Sequence, residues 1–201
     1  MALERINPQP GETSDITAAP ISGRLCLVIG AATVPAISVG VAGVGEAALM
    51  GSILGWALLW LAVIDLREFR LPDRITLPLI AAGLLSGLIL HPALIWDHAA
   101  GAAAGYILFR LIESAFRQVR GYDGLGRGDA KLLAAGGAWV AWYGLPSVVL
   151  IASLAGIIQA LLAGHLRSRA ATKKPLPFGP ALALSIWLVW LFGPLHWGGP
   201  W

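Results

Sequence analysis

Charged residues are sparse along this chain and cut it into long apolar runs. The uncharged stretches are 25–45, 47–64, 75–96, 132–166 and 175–201. A helix needs about 20 apolar residues to cross a bilayer, so most of these are of spanning length. The run 132–166 is too long for one span and is interrupted by Gly144-Leu145-Pro146, where a proline would end a helix, so it divides in two. A weaker segment, 99–116, carries Arg110 and Glu113 near its end and is otherwise small and apolar. The pattern therefore predicts about seven membrane helices, over 25–45, 46–65, 75–93, 98–116, 129–143, 146–165 and 180–198, in an all-α polytopic bundle. Residues 1–23, mixed in charge and interrupted by prolines and glycines, read as a flexible cytoplasmic tail. No basic cluster directly precedes a short apolar core there, so the tail does not read as a signal peptide. The remainder, 24–201, reads as one membrane-embedded domain.

Composition agrees. Of 201 residues, 57% are hydrophobic and 12% charged, against about 25% charged in ordinary soluble domains. Cys26 is the lone cysteine, which excludes an internal disulfide. Threading seven spans back and forth puts the tail and segments 66–74, 117–128 and 166–179 on one side. All 14 lysines and arginines fall there or at the helix ends beside it. A positive-inside bias of this kind places that side, with the N-terminus, in the cytoplasm. Trp96, Trp197 and Trp201 then mark the opposite interface. Small residues four apart, Gly51/Gly55, Gly83/Gly87 and Gly101/Gly105, suit close helix packing in lipid.

Two acids stand out, because a carboxylate at the edge of hydrocarbon needs pairing, hydration or a proton. Asp65 closes one apolar run and Asp129 opens another, and the threading brings both to the same depth on the cytoplasmic side. Each alone has an ordinary explanation: pairing with Arg67, Arg70 or Arg74 for Asp65, and helix capping for Asp129. Together they form a potential dyad, in which one carboxyl keeps a proton while the other accepts one from an attacking water. That is aspartic protease chemistry, with no cofactor and no metal. Gly126 and Gly128 would clear space for a substrate backbone, and Lys131 would balance the charge of the dyad or of a substrate acid. Arg110, Glu113 and Arg117, at i, i+3 and i+7, read as a structural ion-pair group on one helix. His91, Asp97 and His98 are too loosely spaced for a zinc site.

Three blocks carry a family resemblance: Ile64 to Pro78, with Asp65 followed by Leu71-Pro72-Asp73; Asp123 to Ala135, with Gly126-Arg127-Gly128-Asp129; and Pro177-Phe178-Gly179-Pro180. In this order the chain resembles the type IV prepilin peptidases, membrane aspartic proteases of the Gly-x-Gly-Asp class. The resemblance implies that Asp65 and Asp129 are the catalytic pair, and that the substrate is the leader of a prepilin or pseudopilin, cleaved at the inner membrane. Many bacterial members carry a cytoplasmic insertion with paired cysteines and an N-methyltransferase activity. A single cysteine does not supply that insertion, so methylation is not expected. Arg127 stands where an apolar or aromatic residue is frequent. Membrane lipid is the other expected partner; the basic segment 166–174 suits anionic lipid better than nucleic acid. Two competing readings use the same residues: a proton-coupled transporter, and a non-catalytic assembly protein of the secretion or pilus apparatus.

Overall fold

A computed structural model describes residues 21–120, 126–166 and 177–195. Most of the expected tail lies outside the described residues. The described part is all helical: α1 (Ile21–Ala42), α2 (Glu46–Glu68), α3 (Asp73–Leu90), α4 (Ile95–Arg120), α5 (Arg127–Leu166) and α6 (Gly179–Phe192), with one 3-10 turn at Pro92–Leu94. Four helical stretches among the described residues are long and apolar enough to cross a membrane: Glu46–Glu68, Asp73–Leu90, Pro92–Val119 and Arg127–Leu162. Ala32–Ala42 and Gly179–Phe192 are apolar but shorter. The molecule is a membrane helical bundle, and seven full spans are not established by these lengths.

The two segments expected at 129–143 and 146–165 are the arms of α5. A straight helix of 40 residues would run about 60 Å, twice the hydrocarbon thickness of a bilayer. It does not run straight. Ala141 has φ 56° and ψ −179°, outside the helical region, and the chain folds back there. Asp129 and Ser153, each twelve residues from Ala141, line one cavity. The break falls earlier than Gly144-Leu145-Pro146. Pro146 has no amide for the carbonyl four residues before it, that of Trp142, and its ring crowds the same group. The helix yields at the residue preceding Trp142.

α5 is the centre of the bundle, packed against α3, α4 and α6, while α2 bridges α1 and α6. Leu54, Leu58 and Leu61 of α2 meet Leu132 of α5 and Leu182 and Ile186 of α6 in the core. The outside is apolar as well: Leu49, Trp56 and Trp60 on α2 and Leu154, Ile157 and Leu161 on α5 are all exposed. A surface of that kind would aggregate in water and is satisfied by lipid. Several polar groups among the described residues are paired internally, as hydrocarbon favours. The Trp139 indole donates to the Leu79 carbonyl at 2.9 Å, the Trp187 indole to the Gly51 carbonyl at 3.1 Å, and Ser52 bonds back to Ala48.

The glycine pairs divide into two kinds. Gly101 and Gly105 of α4 lie directly on the α5 backbone, at Gly137 and Leu133, so a side chain at either would collide with main chain. Gly51, Gly55 and Gly83 instead receive the tryptophan rings of Trp190, Trp187 and Trp139. Only the first kind is the backbone-to-backbone approach expected from the spacing.

Candidate active site

α2 ends one turn after Asp65. Phe69, in the left-handed region at φ 52°, donates its amide to the Asp65 carbonyl at 3.0 Å and closes the helix. The chain then dips, burying Leu71 in the core, before α3 starts at Asp73. At the other end of the sequence, α6 begins at Gly179, whose amide donates to Oδ2 of Asp65 at 3.0 Å. The positive end of a helix thus meets a carboxylate. Only glycine permits the contact: a Cβ at Gly179 would sit 2.5 Å from that oxygen.

Asp129 is the third residue of α5. Its amide donates to the Gly126 carbonyl at 3.0 Å. Both aspartates are buried, and the two are close enough for the charge of Asp65 to act on Asp129.

Both carboxylates line one cavity of about 840 Å³. Its floor and rim carry Gly126, Arg127, Gly128, Arg70, Asp73 and Lys131. Phe109 and Ile112 of α4, Phe178 before α6, and Val149 of the returning arm of α5 form an apolar wall, to which Ser153 adds a hydroxyl. The Phe109 and Phe178 rings are 6.3 Å apart at 46°. The cavity therefore offers two adjacent acids, a water-accessible volume and a mainly apolar wall. Such an arrangement can activate water against a peptide bond held between them.

The missing side chain of Gly128 leaves room for Leu71, whose Cβ would be 2.8 Å from a Cβ added there, so that glycine serves the packing of the α2–α3 turn. Gly126 is exposed at the cavity, and a Cβ there would touch Oδ2 of Asp129 at an ordinary 3.4 Å. The Lys131 ammonium pairs with Asp73 at 2.5 Å, tying α5 to the start of α3 at the rim. Glu113 is buried and receives Arg110 at 2.5 Å and Arg117 at 3.1 Å, the ion-pair group expected on α4. Arg127, 75% exposed, approaches the same carboxylate at 4.0 Å, so the group also reaches the first residue of α5. Asp97 accepts from the Trp142 indole at 3.0 Å, and Nδ1 of His98 lies 2.9 Å from the Ala138 carbonyl. Among the described residues no three metal-ligating side chains gather.

Sequence reasoning left Gly179 without a role. The available signal was a glycine directly before a proline at a helix start, which leaves its one amide free to meet an acid. Val149 and Ser153 had no local signal, because they reach the cavity only through the fold-back at Ala141.

Residues 52–161, more than half of the chain, match the type IV leader peptidase family. The prepilin leader peptidase/N-methyltransferase of Aeromonas hydrophila is 40% identical over 180 residues, 87% of this chain and 60% of that protein. The Dickeya chrysanthemi protein of the same description is 46% identical over 139 residues, 69% of this chain and 49% of its own length. That of Pseudomonas aeruginosa is 39% identical over 141 residues, 70% and 48%. The chain thus spans about half the length of the curated relatives it matches, between 48% and 60% in these three. No solved structure matches it. These relatives favour neither the transporter nor the assembly-protein reading. Asp65 and Asp129 both lie within the matched residues and share one cavity in a membrane helical bundle: the chain belongs to the type IV leader peptidase family.

Proposed function

We propose that the chain is an aspartic endopeptidase that removes the leader of type IV prepilins or pseudopilin-like proteins, with Asp65 and Asp129 as its catalytic pair. The observation that carries this reading is the convergence of the two acids. They lie on α2 and α5, on either side of the α3–α4 pair, and line one cavity. The descriptions of the relatives supply the substrate class.

In this mechanism one carboxylate takes a proton from a water molecule as its oxygen attacks the scissile carbonyl. The other, carrying a proton, donates it to the carbonyl oxygen. The tetrahedral intermediate collapses with cleavage of the C–N bond: the first carboxyl passes the water's proton to the leaving amine, and the proton on the former carbonyl oxygen goes back to the second, restoring both acids. The Gly179 amide fixes the rotamer of Asp65, so the acid is positioned before substrate arrives. Gly126 borders the volume where a peptide backbone would lie, and Lys131 with Asp73 forms its charged rim.

The concentration of basic residues beside the two acids supports a cytoplasmic active site and N-terminus in a bacterial inner membrane, with anionic lipid at that interface. Cleavage is proposed without methylation of the new N-terminus, since the chain has one cysteine rather than a paired set.

Coexpression with a prepilin, scored by the mobility shift on leader loss and by mass spectrometry of the product, tests the reading. Wild type should cleave, leaving an unmethylated N-terminus in a host lacking other prepilin peptidases. Asp65→Asn and Asp129→Asn should each abolish cleavage at equal membrane levels. Because the acids act as a unit, the double variant should be no worse than either single one. Cleavage by either Asn variant at the wild-type rate would remove that aspartate from the mechanism.

A further inference from the structure

The fold-back of α5 is what carries Val149 and Ser153 to the cavity wall, and it has a backbone cost at the carbonyls just before it. In an unbroken helix the Ala138 carbonyl would accept the amide of Trp142, four residues on. The non-helical dihedrals of Ala141 fall inside the turns that begin at Ala138, Trp139 and Val140, so the Ala138 carbonyl is one of three whose helical bond the break disturbs, all in the buried part of the bundle. Nδ1 of His98 stands 2.9 Å from that oxygen. A carbonyl only accepts, so Nδ1 carries the hydrogen of that bond. His98 is 5% exposed, and its Nε2 has no hydrogen-bond partner among the described residues.

The surroundings are shaped for this ring. A Cβ at Gly87 of α3 would lie 2.8 Å from Cγ of His98, so the glycine makes its berth. One turn along α4, Gly101 brings the backbone against the break itself, where a Cβ would be 2.7 Å from the Ala141 carbonyl carbon. The neighbouring residue, Asp97, accepts the Trp142 indole at 3.0 Å. Consecutive residues of α4 thus hold the chain on both sides of Ala141. A merely space-filling residue would not account for an imidazole whose Nδ1 meets one of the carbonyls whose helical bonds span the break.

We infer that His98 is a positioning residue: its Nδ1–H replaces the helical hydrogen bond lost at Ala141, and with Asp97 it clasps the two arms of α5 so that the cavity wall stays opposite the aspartate pair. The effect on catalysis rests on the leader-peptidase reading; the effect on the arms does not.

Substitution by an apolar residue, and by one that restores a donor near Nδ1, separates this role from simple packing. In a Cys26→Ser background, spin labels at Leu77 of α3 and Leu154 on the returning arm, both exposed, report where that arm lies. Wild type should give one narrow distance. His98→Leu should broaden or displace it and lower the leader-cleavage kcat about tenfold or more. His98→Asn, whose amide nitrogen falls near the position of Nδ1, should restore both. Retention of the narrow distance and the wild-type rate by His98→Leu would overturn the inference. So would failure of His98→Asn alongside His98→Leu, in folding or in distance, because a donor would then not be what the site requires. If wild type itself cleaves no prepilin, the peptidase reading falls and the distance comparison still decides the clasp.

Discussion

At the scale of single residues, the tightest constraint at the site is one absent methyl group. A Cβ at Gly179 would lie 2.5 Å from Oδ2 of Asp65, and the obstacle is the carboxylate itself. Gly179→Ala must therefore push α6 and Asp65 apart. A displacement on the order of 1 Å can cost about a hundredfold in rate, so leader cleavage should fall by that order at normal protein levels. Gly40→Ala in α1, where nothing lies within 4 Å, is the matched control and should leave cleavage unchanged. Ala141 makes the opposite case. It holds a conformation that favours glycine, at a cost on the order of 1–3 kcal/mol. Ala141→Gly should raise stability in detergent by about 1 kcal/mol after the added chain entropy, while Ala141→Val should lower it. A thermal unfolding series on the purified variants reads both. Asp65 and Asp129 were legible in the sequence because acids beside hydrocarbon are rare. The contact of Gly179 with Asp65 was not legible, since the two are 114 residues apart and only the assembled bundle brings them together.

At the scale of elements, apolar runs bounded by charges gave helix positions that agree with α2, α3 and α4 to within a few residues at most ends. The division of α5 was foreseen, but its position was displaced, because proline specifies that a helix must yield and not which residue yields. That choice is made by neighbours: the glycine contact from α4 and the side chains of Asp97 and His98. The ion-pair group on α4 was readable from i, i+3 and i+4 spacing, whereas its extension to Arg127 was not, as that arm comes from another helix. Glu113 is 3% exposed in its side chain, and its arginines, at 43% and 46%, can return to water when it is removed. Glu113→Ala should therefore cost about 1–3 kcal/mol, below the full penalty of breaking a wholly buried pair. Thermal stability should drop, while cleavage per folded molecule should fall far less than in either Asp→Asn variant.

At the scale of the whole molecule, the basic side of the bundle and the aspartate cavity coincide, since Arg70, Arg127 and Lys131 line the same opening as Asp65 and Asp129. Cysteine labelling in intact cells should therefore modify position 93, in the turn after α3, from outside, and position 123 only after the membrane is opened. Labelling of position 123 from outside would invert the orientation. The fold-back of α5 also sets a rule of phase for the whole bundle. Asp129 and the cavity-facing Ser153 are equidistant from Ala141, so their mutual aim depends on how many residues each arm contains. Adding one residue to either arm would turn everything beyond it by about 100° and shift it by about 1.5 Å, swinging the far half toward lipid. Within the two arms this bundle is counted residue by residue, as the teeth of a gear are.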